Sequence, residues 1–371
     1  MIHIKILHIC SYYYGTKLYK NLMDKLAQKN IEFKVFAPCS YNYDYKGSEN
    51  YLIKAKCFNK IDRLIFYYKY KKVYNKLLNT LDIEEYSLLH AHSLFANGYI
   101  AYRVYQEYKI PYIVAVRNTD VNVFFKYFVY LRSLGINILE NAKKIVFISN
   151  SYKEKLLKQY IPESKRKIIE EKCIVIPNGI DEYFLNEEKE PKEFNNKELN
   201  LVYTGRVDKN KNIITTIKCC NNILKKKYNV RLTIIGEITL KKYKNIIKKH
   251  KFINYVGKKN KEEIVDIYKN MDIFVMPSKH ETFGLVYAEA MSQGLPVIYT
   301  KNEGFDNFFK EGEVGYSIVY NNYNEMEEKI ELILKNYKEI SKNCIHNAKC
   351  FNWDTISDKY IDVYTDLERK N

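Results

Sequence analysis

The stretch Ile273-Phe274-Val275-Met276-Pro277-Ser278-Lys279-His280-Glu281-Thr282-Phe283-Gly284-Leu285 runs from an apolar segment through a polar turn into a helical pattern. That pattern carries Glu289 and stops at Gly294-Leu295-Pro296-Val297. Four apolar residues with no alternation predict a strand buried on both faces, as in a parallel sheet. A new apolar run opens at Pro296, so the segment reads as one strand–helix–strand unit. Gly284 stands where the helix starts. Unbonded amides and the positive end of the helix dipole suit an anion there, and a glycine lets a phosphate approach the backbone with no Cβ in the way. Glu289 follows about one and a half turns later, on a face able to look toward the same edge.

On either side of this unit the same alternation fills the chain. Before residue 181, strands are expected near Ile4–Ile9, Glu32–Ala37, Leu88–Ala91, Tyr112–Val116, Lys144–Ile148 and Cys173–Ile176. Helices are expected at Leu18–Lys29, Leu64–Leu81, Phe95–Tyr108 and Tyr152–Tyr160. The stretch from Asp181 to Asn200 is mostly polar and interrupts the pattern. It resumes at Leu199–Gly205, with strands near Arg231–Ile235, Phe252–Val256, Ile273–Met276 and Pro296–Tyr299. Helices of this second half are expected at Ile213–Lys227, Lys241–His250, Glu262–Asn270, Leu285–Gln293 and Glu325–Leu334.

The organisation that follows is α/β, with two doubly wound domains in tandem. The expected bounds are 1–180, a solvated linker at 181–198 carrying Glu187-Glu188-Lys189-Glu190-Pro191, a second domain at 199–350, and a closing segment at 351–371. The helix from Trp353 to Leu367 has no strand after it, so it is expected to pack back on the first domain. Ligands of open α/β sheets bind at the carboxyl ends of the strands.

Composition narrows the function. No apolar run approaches the roughly 20 residues that span a bilayer, and the first ten residues read as a strand rather than a signal peptide; a cytoplasmic protein is expected. The eight cysteines form no CxxC pair, which argues against a disulfide framework or structural zinc. Net charge is +17, from 61 basic and 44 acidic residues. AT-rich codon usage would supply many of the lysines. No zinc finger, RNP-like motif or helix-turn-helix pattern supports a nucleic-acid partner. Between Lys54 and Leu78, eight basic residues and one acid, Asp62, are interleaved with aromatic residues. A basic, aromatic helix over Lys54–Lys76 suits peripheral contact with the inner face of an anionic plasma membrane, and equally an ordinary surface helix.

Gly205-Arg206 ends another strand, and Lys211 follows. Arg206 by paired hydrogen bonds and Lys211 as a point charge would clamp a diphosphate. Nothing in such a pocket requires a metal or a cofactor.

Glu281 and Glu289 in the spacing Glu-x7-Glu, with Phe283-Gly284-Leu285 between them, resemble the signature of the retaining glycosyltransferases of family 4. Gly205-Arg206 with Lys211, Ile176-Pro177-Asn178-Gly179-Ile180-Asp181 and the closing Phe351-Asn352-Trp353 resemble the same family in order. The resemblance implies a GT-B fold, two Rossmann-like domains facing across a cleft. It implies transfer of a sugar from a nucleoside-diphosphate donor, UDP ahead of GDP, to a glycan or lipid-linked acceptor of bacterial surface polysaccharide synthesis. Glu281 would hold donor-sugar hydroxyls, assisted by the amides of Phe283 and Gly284. The Leu285 amide, Arg206 and Lys211 would stabilise the leaving diphosphate, and Glu289 would bind the ribose. In His90-Ala91-His92, the resemblance places His92 beside the donor sugar, with His90 packing beneath. Asp120 would line the acceptor side or cap the next helix.

Three loops depart from the family pattern. Asn118, in the loop before Asp120, stands where a glycine is usual, Ser11-Tyr12-Tyr13-Tyr14-Gly15-Thr16 leaves only Gly15 for close approach to the donor, and Glu303 stands before Gly304 where a glycine is usual. Competing readings are a sugar-nucleotide epimerase on the same fold, a glycosidase using paired carboxylates, and a basic binding module without catalysis. A nicotinamide dehydrogenase is disfavoured because no GxGxxG follows the first strand.

Overall fold

The computed structural model describes residues 4–45, 47–186, 189–194, 198–226 and 229–369. They form two compact units, one from Met1–Ile148, Tyr152–Pro177 and Trp353–Asn371, the other from Ser149–Ser151 and Asn178–Asn352.

The first unit is built on parallel strands β1 (Ile6–Ile9), β2 (Phe33–Ser40), β3 (Leu52–Phe58), β4 (Leu88–Ala91), β5 (Tyr112–Ala115), β6 (Lys144–Phe147) and β7 (Cys173–Val175). Their order is β3-β2-β1-β4-β5-β6-β7, so the direction of winding reverses between β1 and β4. Helices α1 (Lys17–Gln28), α2 (Phe66–Leu78), α3 (Gly98–Tyr108), α4 (Arg132–Asn141), α5 (Asn150–Tyr160) and α6 (Glu163–Glu170) connect them. One face of the sheet packs its apolar residues with those of α2 and α3, among them Tyr74, Leu77, Ile100 and Val104. The other face meets Leu22, Met23 and Leu26 of α1 and Trp353, Ile356 and Tyr364 of the C-terminal helix, Trp353–Glu368. Lys25 Nζ lies 3.0 Å from Asp354 and Lys29 Nζ 2.5 Å from Asp358, which fixes that helix beside α1.

The basic stretch after Lys54 is not one helix. Ala55 and Cys57 are buried while Lys54 and Lys56 are exposed, the period-two pattern of an edge strand. Lysines at the outward positions hide β3 from a reading based on charge. A tight turn at Ile61–Leu64 then leads into α2. The apolar run near Phe124 likewise divides, into a π-helical turn at Asp120–Phe125, a short turn at Val129–Leu131, and α4.

In the second unit, parallel strands β8 (Glu198–Thr204), β9 (Asn229–Ile235), β10 (Ile253–Gly257), β11 (Ile273–Val275), β12 (Val297–Thr300) and β13 (Gly315–Ile318) lie in the order β10-β9-β8-β11-β12-β13. Helices α7 (Ile213–Lys226), α8 (Lys241–Lys248), α9 (Lys261–Lys269), α10 (Leu285–Met291), α11 (Tyr323–Lys335) and α12 (Tyr337–Ala348) cover this sheet. The winding reverses between β8 and β11, which pair through Ile273 with Leu201 and Phe274 with Val202.

The polar stretch expected to be a linker is partly anchored to this unit. Phe184 is buried, and Lys192 Nζ donates to the carbonyls of Tyr268, Lys269 and Met271 at 2.6, 3.0 and 2.9 Å, at the end of α9. Cations are favoured at helix carboxyl ends. Glu187, Glu188, residues 195–197 and the expected helix end at Lys227 lie outside the described residues.

Candidate active site

Two loops leave neighbouring strands at the reversal point of the second sheet. One follows β8 and carries Gly205, Arg206, Asp208 and Lys211; the other follows β11 and carries His280 and Glu281. Adjacent parallel strands deliver their next residues to the same edge, so Lys211 and Glu281 meet although they are 70 positions apart. The Lys211 ammonium bonds the Glu281 carboxylate, and both side chains are largely buried. The Lys211 amide donates to Asp208 Oδ1 at 2.8 Å, which shapes the loop. Arg206 differs: its side chain is 69% exposed and lies 3.7 Å from Asp208, leaving the guanidinium able to reach an incoming anion.

Gly284 has φ +81°, the left-handed region, and a Cβ there would meet the Tyr287 ring at 2.5 Å. This glycine turns the chain into α10, whose first residue is Leu285. Amides in the first turn of a helix have no intrahelical acceptor, so the Leu285 amide is free of one at the end of the loop that carries Glu281. Phe283 is buried, packed on Phe305 and Phe351 at ring distances of 5.8 and 5.3 Å.

Glu289 is half-buried on α10, and burial, with the negative charge of Asp181 adding to it, raises its carboxyl to about 7. A carboxyl held this high gains most from ligand hydrogen bonds that favour its charged form.

How the Glu281 loop is held is not legible in the local sequence. Glu303 accepts from the Glu281 amide at 2.7 Å and lies 3.1 Å from His280 Nδ1, while the Gly304 amide donates to the Glu281 carbonyl at 2.7 Å. Asn210 adds two bonds to the backbone of His280, at 2.9 and 3.2 Å. The sequence marks Glu303 only as a departure from glycine; its acceptor oxygens make it a brace for Glu281. No local pattern marks Asn210.

In the first unit, His92 follows β4 at the other reversal point and is fully buried. His92 Nε2 lies 3.0 Å from Nδ1 of His8, on neighbouring β1, and the His90 ring stacks on His92 at 4.1 Å. His90 Nδ1 pairs with the Tyr364 hydroxyl at 2.8 Å. Burial lowers all three imidazoles, His8 to about 3, so each is neutral at physiological pH. Among the described residues they are the group whose metal-ligating atoms lie within 4.8 Å of one another, but the facing nitrogens of His8 and His92 are engaged with each other. His92 Nδ1 is buried with no partner among the described residues. Gly15 ends a short turn at Tyr13–Gly15, is exposed, and has open space where a Cβ would stand.

Asp120 braces two loops. It is buried, and its carboxylate accepts from the amides of Leu94, Phe95 and Arg117 at 3.0, 3.1 and 2.8 Å. It ties the loop after β4 to the loop after β5. Burial raises it to about 6 despite those bonds.

Residues 16–183 match the model of Glycosyltransferase Family 4, and residues 185–351 match that of Glycosyl transferases group 1. An uncharacterized glycosyltransferase of Methanocaldococcus jannaschii is 27% identical, over 99% of this chain and 99% of its own. Alpha-monoglucosyldiacylglycerol synthase of Acholeplasma laidlawii is 25% identical, over 86% of this chain and 84% of its own. Among solved structures, sucrose-phosphate synthase from Thermosynechococcus elongatus superposes with a TM-score of 0.73 at 17% identity, covering all of both chains, a likeness of fold. With two doubly wound sheets and family models matching successive halves, the chain belongs to the family-4 glycosyltransferases and has the GT-B fold.

Proposed function

We propose that this glycosyltransferase moves a sugar, with retention of anomeric configuration and without a metal ion, from a nucleoside-diphosphate donor to a glycan or lipid-linked acceptor. The observation that carries the reading is the Lys211–Glu281 pair at the reversal point of the second sheet. Paired as they are, the two charges neutralise each other. A donor would exchange that contact: Lys211 and Arg206 turn to the diphosphate, and Glu281 accepts hydrogen bonds from sugar hydroxyls.

The Leu285 amide adds a neutral donor to the same phosphate oxygens. Glu289 accepts from the ribose hydroxyls. As the bond from the anomeric carbon to the phosphate oxygen breaks, negative charge grows on the diphosphate, and the cations stabilise it in place. The acceptor hydroxyl attacks from the same face and passes its proton to the departing phosphate. His92 is assigned to the donor sugar by the family resemblance; its buried Nδ1, like Nε2 of His8 and of His90, has no partner among the described residues. The acceptor assignment draws on the name of the Acholeplasma relative, a synthase of a glucosylated diacylglycerol.

The test is proton NMR of products formed from UDP- and GDP-sugars with a lipid or glycan acceptor in excess EDTA. Retained configuration with undiminished rate supports the proposal. An inverted product, or activity abolished by EDTA and restored by a divalent ion, contradicts it.

A further inference from the structure

Ten of the nineteen exposed large hydrophobic side chains among the described residues fall in two short stretches of the first unit, 61–68 and 123–130. Leu64 is 83% exposed and Tyr127 67%. The stretches adjoin. The Phe66 ring lies 6.1 Å from that of Phe124, Phe124 lies 5.4 Å from Phe128, and Phe128 lies 6.1 Å from Tyr130.

Both stretches are held rather than loose. In the turn at Ile61–Leu64, the inward residue is Asp62, which accepts from the Asn59 amide at 2.8 Å and pairs with Lys72 at 2.9 Å. That staple turns Ile61, Leu64 and Ile65 outward. In the second stretch Leu131 is buried and Arg132 Nε donates to the Phe125 carbonyl at 2.7 Å, leaving Tyr127, Val129 and Tyr130 outside.

The charge around the patch has one sign. Lys60, Arg63, Lys71 and Lys126 are exposed and form no ion pair among the described residues, while the single acid, Asp62, is taken by Lys72. Lysine is depleted where proteins bury surface against each other. Aliphatic tips such as Ile61 and Leu64 offer no stacking platform for bases. Aliphatic tips, a tyrosine belt and a basic rim match the interface of an anionic bilayer.

We propose that this patch docks the protein on anionic membrane, with Leu64, Ile65 and Val129 entering below the headgroups and the four exposed cations meeting lipid phosphates. The contact lies at the turn before α2 and the loop before α4, not along a helix over Lys54–Lys76. It rests on the first unit alone and is independent of donor chemistry.

Flotation of the full chain with phosphatidylcholine vesicles containing phosphatidylglycerol, against phosphatidylcholine alone, tests it. Wild type is expected to float with the anionic vesicles. Leu64→Glu with Val129→Glu is expected to lower partitioning about tenfold or more, with melting temperature and nucleotide release in solution unchanged. Leu64→Trp is expected to show blue-shifted emission, relative to wild type, when anionic vesicles are added. Undiminished flotation of the double variant, an unshifted tryptophan, or a wild-type dimer that the double variant converts to monomer would each overturn the proposal.

Discussion

Glu289 joins the chemistry of a single residue to the stability of the fold. Its carboxyl is raised to about 7 in the folded chain, so the unfolded chain releases that proton first as pH rises. Stability is therefore lost as pH climbs from the ordinary carboxylate range through about 7. Glu289→Gln is expected to gain on wild type from near zero at about pH 4 to about 1–2 kcal/mol at about pH 8, read by thermal melts. The same variant is expected to bind nucleotide about tenfold more weakly by calorimetry, since an amide replaces a carboxylate acceptor. An unchanged affinity would remove Glu289 from the donor site. Lys211 and Glu281 are both visible in the sequence as residues after strands, and topology predicts their meeting, because β8 and β11 are neighbours in a doubly wound sheet. Asp120 is not predictable in the same way: its three amide donors come from two loops far apart in sequence.

At the scale of elements, the loop pair 281–283 and 303–304 holds the site together. A Cβ on Gly304 would stand 1.9 Å from the Thr282 carbonyl oxygen, a clash set by packing between the β11–α10 loop and the β12–β13 loop. Gly304→Ala is expected to displace the Glu281 loop, lower turnover at least about tenfold, and cost about 1–3 kcal/mol of stability by denaturant melts. Glu303→Ala frees the Glu281 amide and is expected to raise the KM for donor in steady-state assays. Local reading does not reach this contact, whereas continuous apolar runs locate most strands and leave only their ends to move. β3 escapes because lysines occupy its outward positions, and α12 because its sequence, from Tyr337 to Ala348, is largely polar.

For the whole molecule, the net charge of +17 favours anionic ligands and makes their binding sensitive to salt. Donor affinity is expected to fall between about 50 and 500 mM salt in titrations, because exposed Arg206 is screened. The two-unit α/β architecture is legible because both halves repeat strand and helix, whereas the exposed apolar patch is not, since burial depends on packing. The decisive measurement is the rate of nucleotide release from a panel of nucleotide-sugars by wild type and by Lys211→Ala. Wild type is expected to release nucleotide from at least one donor, and the variant to lose about 10²–10³-fold in rate with the fold intact. Equal rates for the two proteins, or no release from any donor, would show that Lys211 and Glu281 do not form a leaving-group site.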